Sequence, residues 1–446
     1  MFPFLSARAK TFRSLYGFSL ILFCTTLGTS TCYFFGLLDS WQEKMTDRFF
    51  LQKNPPTGII IIAIDEGSID VIGQWPWPRA VFSTLINTLQ NARAIGIDVN
   101  FSEASRLGTD DDQIFASALA TSTVPIILPI EITQKTDPIS PIPEFAAHTT
   151  QGYVNVAITH DGVARFVESI PPYKTFSEKM SEVILPNAFL PPHQIRIAYF
   201  GPEKTFPTFS FKDAVAHRIP PRILRDKIVL VGATAKDLHD TLLTPFGSMP
   251  GVEVHANILA TILNQSFFTS VGPSYIITII FLLNICIATV LWYTTKPTVF
   301  LSVFGLLFIA VQIVAALLFE AHIVFPNLYP TIGLVGTFGA LTAYQYGISA
   351  KEKRFLRKTF QYYLAPEVIN ELVADPSRVS LGGTRKEVTI LFSDIRGFTT
   401  ISEGMQPEQL THLLNEYLSA MTDLILEERG LLDKYIGDAI MAFWGA

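Results

Sequence analysis

Apolar runs of two lengths divide this chain. Residues 14–38 carry no charge, and from 256 to 350 the formally charged residues are Lys296 and Glu320 alone. Uncharged runs of about 20 residues or more cross a bilayer. Polar breaks at 294–297 and 320–322 divide the second region into spans 274–293, 298–319 and 323–346, which with 14–38 gives four expected transmembrane helices. Pro326 and Pro330 are expected to kink the last.

Between the first span and the others, the runs are short and alternate in type. Continuous apolar stretches at 58–64, 94–99, 124–130 and 226–234 predict buried strands, with further strands near 153–158, 165–170 and 195–200. Helical spacing appears at 80–92, 110–120 and 252–263. This pattern predicts one α/β domain over 39–270, with Pro-rich surface loops at 138–143 and 171–192. From the last span, 346–364 continues as a charged amphipathic helix into a linker, 347–387, that also holds a short helix at 366–373. Residues 388–392 lead as a buried strand into Ser393 and Asp394. Residues 407–429 form an amphipathic helix ended by Gly430. The apolar run 439–444 returns from a hairpin whose turn is Gly437-Asp438.

Composition agrees with a membrane protein: of 446 residues, 49% are hydrophobic and 16% charged. A net charge of -6 and the lack of a basic tract with interleaved aromatics exclude a nucleic-acid-binding surface. Arg8, Lys10 and Arg13 precede the first span, Lys296 lies between the second and third, and Lys351, Lys353, Arg354, Arg357 and Lys358 follow the fourth. The positive-inside rule therefore puts 1–13 and the C-terminal region in the cytoplasm and 39–270 outside. The run 14–38 is long for a signal peptide and no Ala-x-Ala site follows, which favours an uncleaved anchor. The three cysteines lie in or beside spans, leaving the outer domain without disulfides.

Candidate chemistry concentrates near the end of the chain. Asp394 ends one strand and Asp438 tips a hairpin, so two carboxylates at strand ends offer the hard oxygen donors that magnesium prefers. Gly397-Phe398 precedes a helix, where backbone N–H groups can meet a phosphate. In the outer domain, Asp65 and Asp98 end parallel strands and are either ligand groups or caps of the next helices. Trp75 and Trp77 either meet a ligand or fix a proline-rich loop, and His239-Asp240 is a weak metal candidate.

The wording of two segments carries more than spacing does. Phe392-Ser393-Asp394-Ile395-Arg396-Gly397-Phe398-Thr399 and Lys434-Tyr435-Ile436-Gly437-Asp438-Ala439 resemble the class III nucleotidyl cyclase catalytic domain. The resemblance implies a ferredoxin-like α+β domain, present in part as 388–446, with two Mg2+ (or Mn2+) ions per site held by Asp394, Asp438 and the carbonyl of Ile395. It implies that Gly397, Phe398 and Thr399 hold the triphosphate of ATP and that Lys434 selects adenine, since lysine can donate to the ring N1. It further implies a homodimer in which one chain gives the aspartates and its partner the lysine. A second adenine-contacting Asp and an Asn-Arg pair are expected after residue 446, which leaves the activity of the 446-residue chain itself open. Guanylate cyclase, or a receptor whose cyclase-like domain only dimerises, are the alternatives.

In the outer block, Ile62-Ala63-Ile64-Asp65-Glu66-Gly67-Ser68, Trp75-Pro76-Trp77-Pro78-Arg79, Ile97-Asp98-Val99-Asn100-Phe101, Lys227–Thr234 and Gly251–Asn257 resemble the second class of CHASE extracytoplasmic sensor domains. The resemblance implies a membrane-bound receptor adenylate cyclase of the inner membrane, responding to an unidentified outer ligand.

Overall fold

The computed structural model describes residues 3–132, 138–185, 194–294, 296–360 and 385–445. It divides into two units, 1–338 and 339–446. The predicted short helix at 366–373 lies outside the described residues.

Six parallel strands organise the first unit, in the order Thr150–Tyr153, Ile126–Ile130, Ala94–Asp98, Ile228–Ala233, Ile59–Ile64, Thr208–Ser210. The late strand Ile228–Ala233 lies between the first two in sequence. Its interior position matches its uninterrupted apolar wording, because a parallel strand covered on both faces has no polar side to offer. Helices Arg79–Thr88 and Thr109–Thr121 pack with Phe82, Leu85, Ile86 and Phe115 against one face. Helices Phe176–Ile184 and Gly251–Leu263 cover the other.

The segment Phe176–Ile184 departs from the sequence expectation of a surface loop over 171–192. Thr175 and Glu178 form a reciprocal capping box, and Phe176, Met180 and Ile184 are buried. A small antiparallel sheet, Ala157–Ile158, Ala164–Glu168 and Gln194–Arg196, stands beside the main one.

Helix Asp39–Asp47 follows the first apolar helix, Pro3–Phe34, and is fixed to that small sheet by buried charge. The Arg165 side chain, 1% exposed, pairs with Asp47 at 2.6 Å and Asp161 at 2.7 Å, while Arg196 pairs with Glu43 at 2.7 Å. The Arg165 contacts hold the Asp161 carboxyl well below its ordinary pKa.

Among the described residues, three helices are long and apolar enough to cross a membrane: Leu15–Phe34, Pro273–Tyr293 and Pro297–Glu320. Helix Leu328–Phe360 follows. Its start corrects the expected span at 323: Ile323–Val324 is instead a strand paired with Thr269–Ser270. The expected proline kinks have no basis either. Pro326 precedes the helix and Pro330 lies in its first turn, where no intrahelical N–H bond is lost. Polar groups join these segments: Asn327 Nδ2 donates to Gln312 Oε1 at 2.7 Å, Gln42 Nε2 donates to Asn327 Oδ1 at 3.3 Å, and Asn284 Nδ2 donates to Thr26 Oγ1 at 3.1 Å. Lys53 meets Glu320 at 2.8 Å, so the turn after Pro297–Glu320 lies beside the α/β domain.

In the second unit, strand Ala439–Trp444 is central, flanked antiparallel by Thr389–Ser393 and Leu431–Ile436. Helix Pro407–Glu427 covers one face, with Ile425, Ile440 and Ala442 buried and Leu391, Tyr417 and Met421 packed around them. Gly430 admits this packing, because a Cβ there would lie 2.7 Å from the Trp444 ring. The expectation of a buried first strand is corrected. Only alternate residues face the helix, and Ile390 and Phe392 on the other face are 52% and 66% exposed.

Removing the Arg165 charge leaves Asp47 and Asp161 facing each other in a nearly dry site. Arg165→Met should lower stability by about 3 kcal/mol or more, seen as an earlier thermal transition of the purified chain. An unchanged transition would show that the pairing does not hold helix Asp39–Asp47.

Candidate functional site

Two strand ends meet in the second unit because of their register. Ser393 pairs with Ile440 on the central strand, and Ile436 pairs with Ala439 across the hairpin. Residues 394 and 438 thus emerge at the same edge of the sheet. Gly437 has φ +68, which suits the first position of a two-residue hairpin turn and leaves Asp438 at the tip.

The result is a shared contact. The Ile395 N–H lies 3.1 Å from Asp394 Oδ1 and 3.3 Å from Asp438 Oδ2, so one backbone donor serves both carboxylates. Asp394 is exposed and Asp438 partly so. One N–H cannot offset two negative charges, and the pair offers hard anionic oxygens open to solvent. That donor set fits a divalent cation that takes one or two carboxylates and completes its shell with water and phosphate. Among the described residues, no group of three or more His, Cys, Asp or Glu forms a metal cage.

The other predicted positions surround this pair. Gly397 has φ +76 and starts helix Phe398–Glu403, a left-handed conformation that a side chain would strain. The Phe398 N–H donates to the Ile395 carbonyl at 3.2 Å, so both groups are already engaged in the turn. Thr399 is exposed in the first turn. Lys434 pairs in register with Met441, which itself pairs with Phe392, placing all three on the face away from helix Pro407–Glu427. Its Nζ lies 3.2 Å from Asp433, an exposed pairing that binds it weakly.

In the α/β domain, the sequence candidates separate. Asp65 is a cap: its carboxylate accepts from Ser68 N–H at 2.8 Å and Ser210 Oγ–H at 2.9 Å at the start of helix Glu66–Ile72. His239 turns outward, whereas Asp240 lies inward against Gly251. Asp98 faces His255, which the sequence reading did not single out, with 3.8 Å between Oδ2 and Nε2. Burial pushes the Asp98 carboxyl up from 3.8 to about 7 and His255 down from 6.5 to about 4. Asp240, raised by burial and by Asp98, comes to about 6. Between about pH 4 and 7, the pair is thus an uncharged carboxyl beside an uncharged imidazole.

Residues 20–295 match the family model of the CHASE2 domain, and residues 383–446 match that of the adenylate and guanylate cyclase catalytic domain. The chain is 44% identical over 92 residues to an adenylate cyclase of Anabaena cylindrica, covering 21% of this chain and 17% of that protein. It is 33% identical over 88 residues to adenylate cyclase 1 of Rhizobium meliloti, 20% of this chain and 13% of the relative. With the terminal-differentiation specific adenylate cyclase of Dictyostelium discoideum, it shares 38% identity over 92 residues, 20% of this chain and 4% of the relative. The chain therefore spans less than a fifth of each of these relatives.

The buried acids make a pH prediction. A carboxyl whose folded pKa is raised stabilises the fold at low pH, and that contribution is lost as pH rises through the folded value. A depressed imidazole acts oppositely, losing its contribution as pH falls from 6.5 toward 4. Two raised carboxyls outweigh one imidazole, so the thermal transition should rise from pH 8 to pH 5, and Asp98→Asn should flatten that slope. The same slope in the variant would exclude Asp98 as its source.

Proposed function

We propose that this chain, which belongs to the CHASE2 domain family and carries part of a cyclase catalytic domain, forms 3',5'-cyclic AMP and pyrophosphate from ATP under control of an outer sensor. The observation that carries the reading is the convergence of Asp394 and Asp438 on the Ile395 N–H. The two carboxylates, with the Ile395 carbonyl, would hold Mg2+ or Mn2+. When bound, such ions activate the ribose 3'-hydroxyl toward the α-phosphorus and neutralise the triphosphate.

The chain's own groups do the rest. The turn at Gly397, Phe398 and Thr399 would orient the phosphates at the sheet edge, and Lys434 would donate to adenine N1, where guanine offers a donor instead. The exposed Ile390 and Phe392, on the same face as Lys434, support a homodimer in which Lys434 of the partner reads the base.

An inner-membrane protein with four spans follows from the same reading. Three helices have the length and apolarity, and the contact of Lys53 with Glu320 supports a chain that returns to the outer side before the helix Leu328–Phe360 leaves it. The cations Lys351, Lys353, Arg354, Arg357 and Lys358 in the last turns of that helix support a cytoplasmic catalytic domain.

The test is nucleotide turnover by the chain extended past residue 446, supplied with Mg2+ or Mn2+. ATP should be cyclised in preference to GTP. Asp394→Asn should lower turnover by about a hundredfold or more without unfolding the protein. Lys434→Glu should erode the preference for ATP. Full turnover by Asp394→Asn would remove the assignment, and preference for GTP in the unaltered protein would make it a guanylate cyclase.

A further inference from the structure

Two separate runs, Trp75-Pro76-Trp77-Pro78-Arg79 and Val99-Asn100, meet around one cavity of about 470 Å³. It lies beyond the carboxyl end of strand Ala94–Asp98, the edge of a parallel sheet that ordinarily receives ligands. One wall is aromatic. Trp75, partly buried, stands edge-on to Trp77 with ring centroids 5.2 Å apart. Trp77 is 3% exposed and fixed, since its indole N–H donates to the Gly73 carbonyl at 2.8 Å.

Arg79 forms the deep polar part of the lining. It is 9% exposed, lies 4.7 Å from the centre of the Phe101 ring, and donates through one terminal nitrogen to the Glu103 carbonyl at 2.9 Å. Its Nε lies 3.5 Å from Asp112 Oδ1, and neither atom has a hydrogen-bond partner. The opposite lip, residues 100–107, offers Asn100, Ser102 and Ser105.

This lining is rigid before any ligand arrives. The Asp111 carboxylate accepts from the N–H groups of Arg79 and Ala80 at 2.8 and 3.1 Å and from Ser105 Oγ–H at 2.6 Å. Asp112 accepts from Ser105 N–H at 2.9 Å. One acidic pair thus ties the start of helix Arg79–Thr88 to the polar lip, so binding need not order either.

Charge decides the class of ligand. Arg79 and the exposed Arg106 of the lining are set against the exposed Glu103 on the rim and Asp112 behind Arg79, so opposite charges alternate around the cavity instead of gathering to one sign. A small ion would lose its hydration without a counter-charge to replace it. A neutral ring bearing hydroxyls loses less: its C–H face can lie on the electron-rich face of an indole, and its hydroxyls can donate to and accept from Asn and Ser and accept from Arg. We propose that this cavity is the ligand site of the outer domain and takes a neutral, hydroxyl-rich ring of monosaccharide or disaccharide size. The proposal rests on the reading of this domain as a sensor.

The test uses the full chain in phospholipid nanodiscs, without glycoside detergents, which would compete. D-Glucose, N-acetyl-D-glucosamine and maltose are titrated, with benzoate and choline as charged ring and cation controls. Tryptophan emission and the thermal transition are read. At least one sugar should bind saturably and raise the transition. Trp75→Ala and Asn100→Ala, both at partly or fully exposed positions, should weaken that sugar about tenfold or more. Binding by none of the three sugars, binding by benzoate or choline alone, or sugar affinity unchanged in both variants would overturn the proposal. The readout needs no nucleotide turnover, so failure here leaves the cyclase reading standing, and an inactive catalytic domain leaves this measurement intact.

Discussion

Two negative charges held against one N–H are the constraint on which the catalytic reading depends. Left alone, the carboxylates of Asp394 and Asp438 repel each other, and in water each would turn away. The sheet fixes where they start. Pairing Ser393 with Ile440 and Ile436 with Ala439 brings their backbones to one edge, and the positive φ of Gly437 turns the hairpin tightly enough to keep Asp438 there. An arrangement that concentrates like charge at exposed strand ends does little for stability.

A second charged device works in the first unit by a different principle. Arg165 is buried between Asp47 and Asp161, with Arg196 and Glu43 beside it. Replacing such a group by an apolar one of equal size could leave stability unharmed, but only if its partners were replaced too. What the pairing fixes is direction: helix Asp39–Asp47, continuing from the first apolar helix, cannot rotate freely against the small sheet. Gln42 and Asp39 on the same helix reach Asn327 and Tyr329 at the start of Leu328–Phe360. Helix Asp39–Asp47 therefore touches both the small sheet of the α/β domain and the entry to the last long helix.

Much of this was legible in the order of residues, for a reason that also explains the failures. Strands covered on both faces have to be apolar throughout, so 58–64, 94–99 and 226–234 announced themselves. The edge strand Thr208–Ser210 did not, because three residues carry no period. Helix Phe176–Ile184 was hidden by the prolines at 171–172 and 191–192, although Thr175 and Glu178 at capping-box spacing were there to be read. The meeting of Asp394 and Asp438 was legible because the strand that ends at one and the hairpin that carries the other both read plainly. The exposure of Ile390 and Phe392 was not, since an apolar strand reads alike whether its second face is packed or open. Least legible was the approach of His255 to Asp98, since a contact made across a fold by distant residues leaves no local pattern.

The most direct test of the central claim is binding of Mn2+ to the purified chain in the presence of ATP, followed by electron paramagnetic resonance. The account predicts a bound-ion signal that is lost in both Asp394→Asn and Asp438→Asn while the fold is retained. A signal of equal strength in those variants would contradict it.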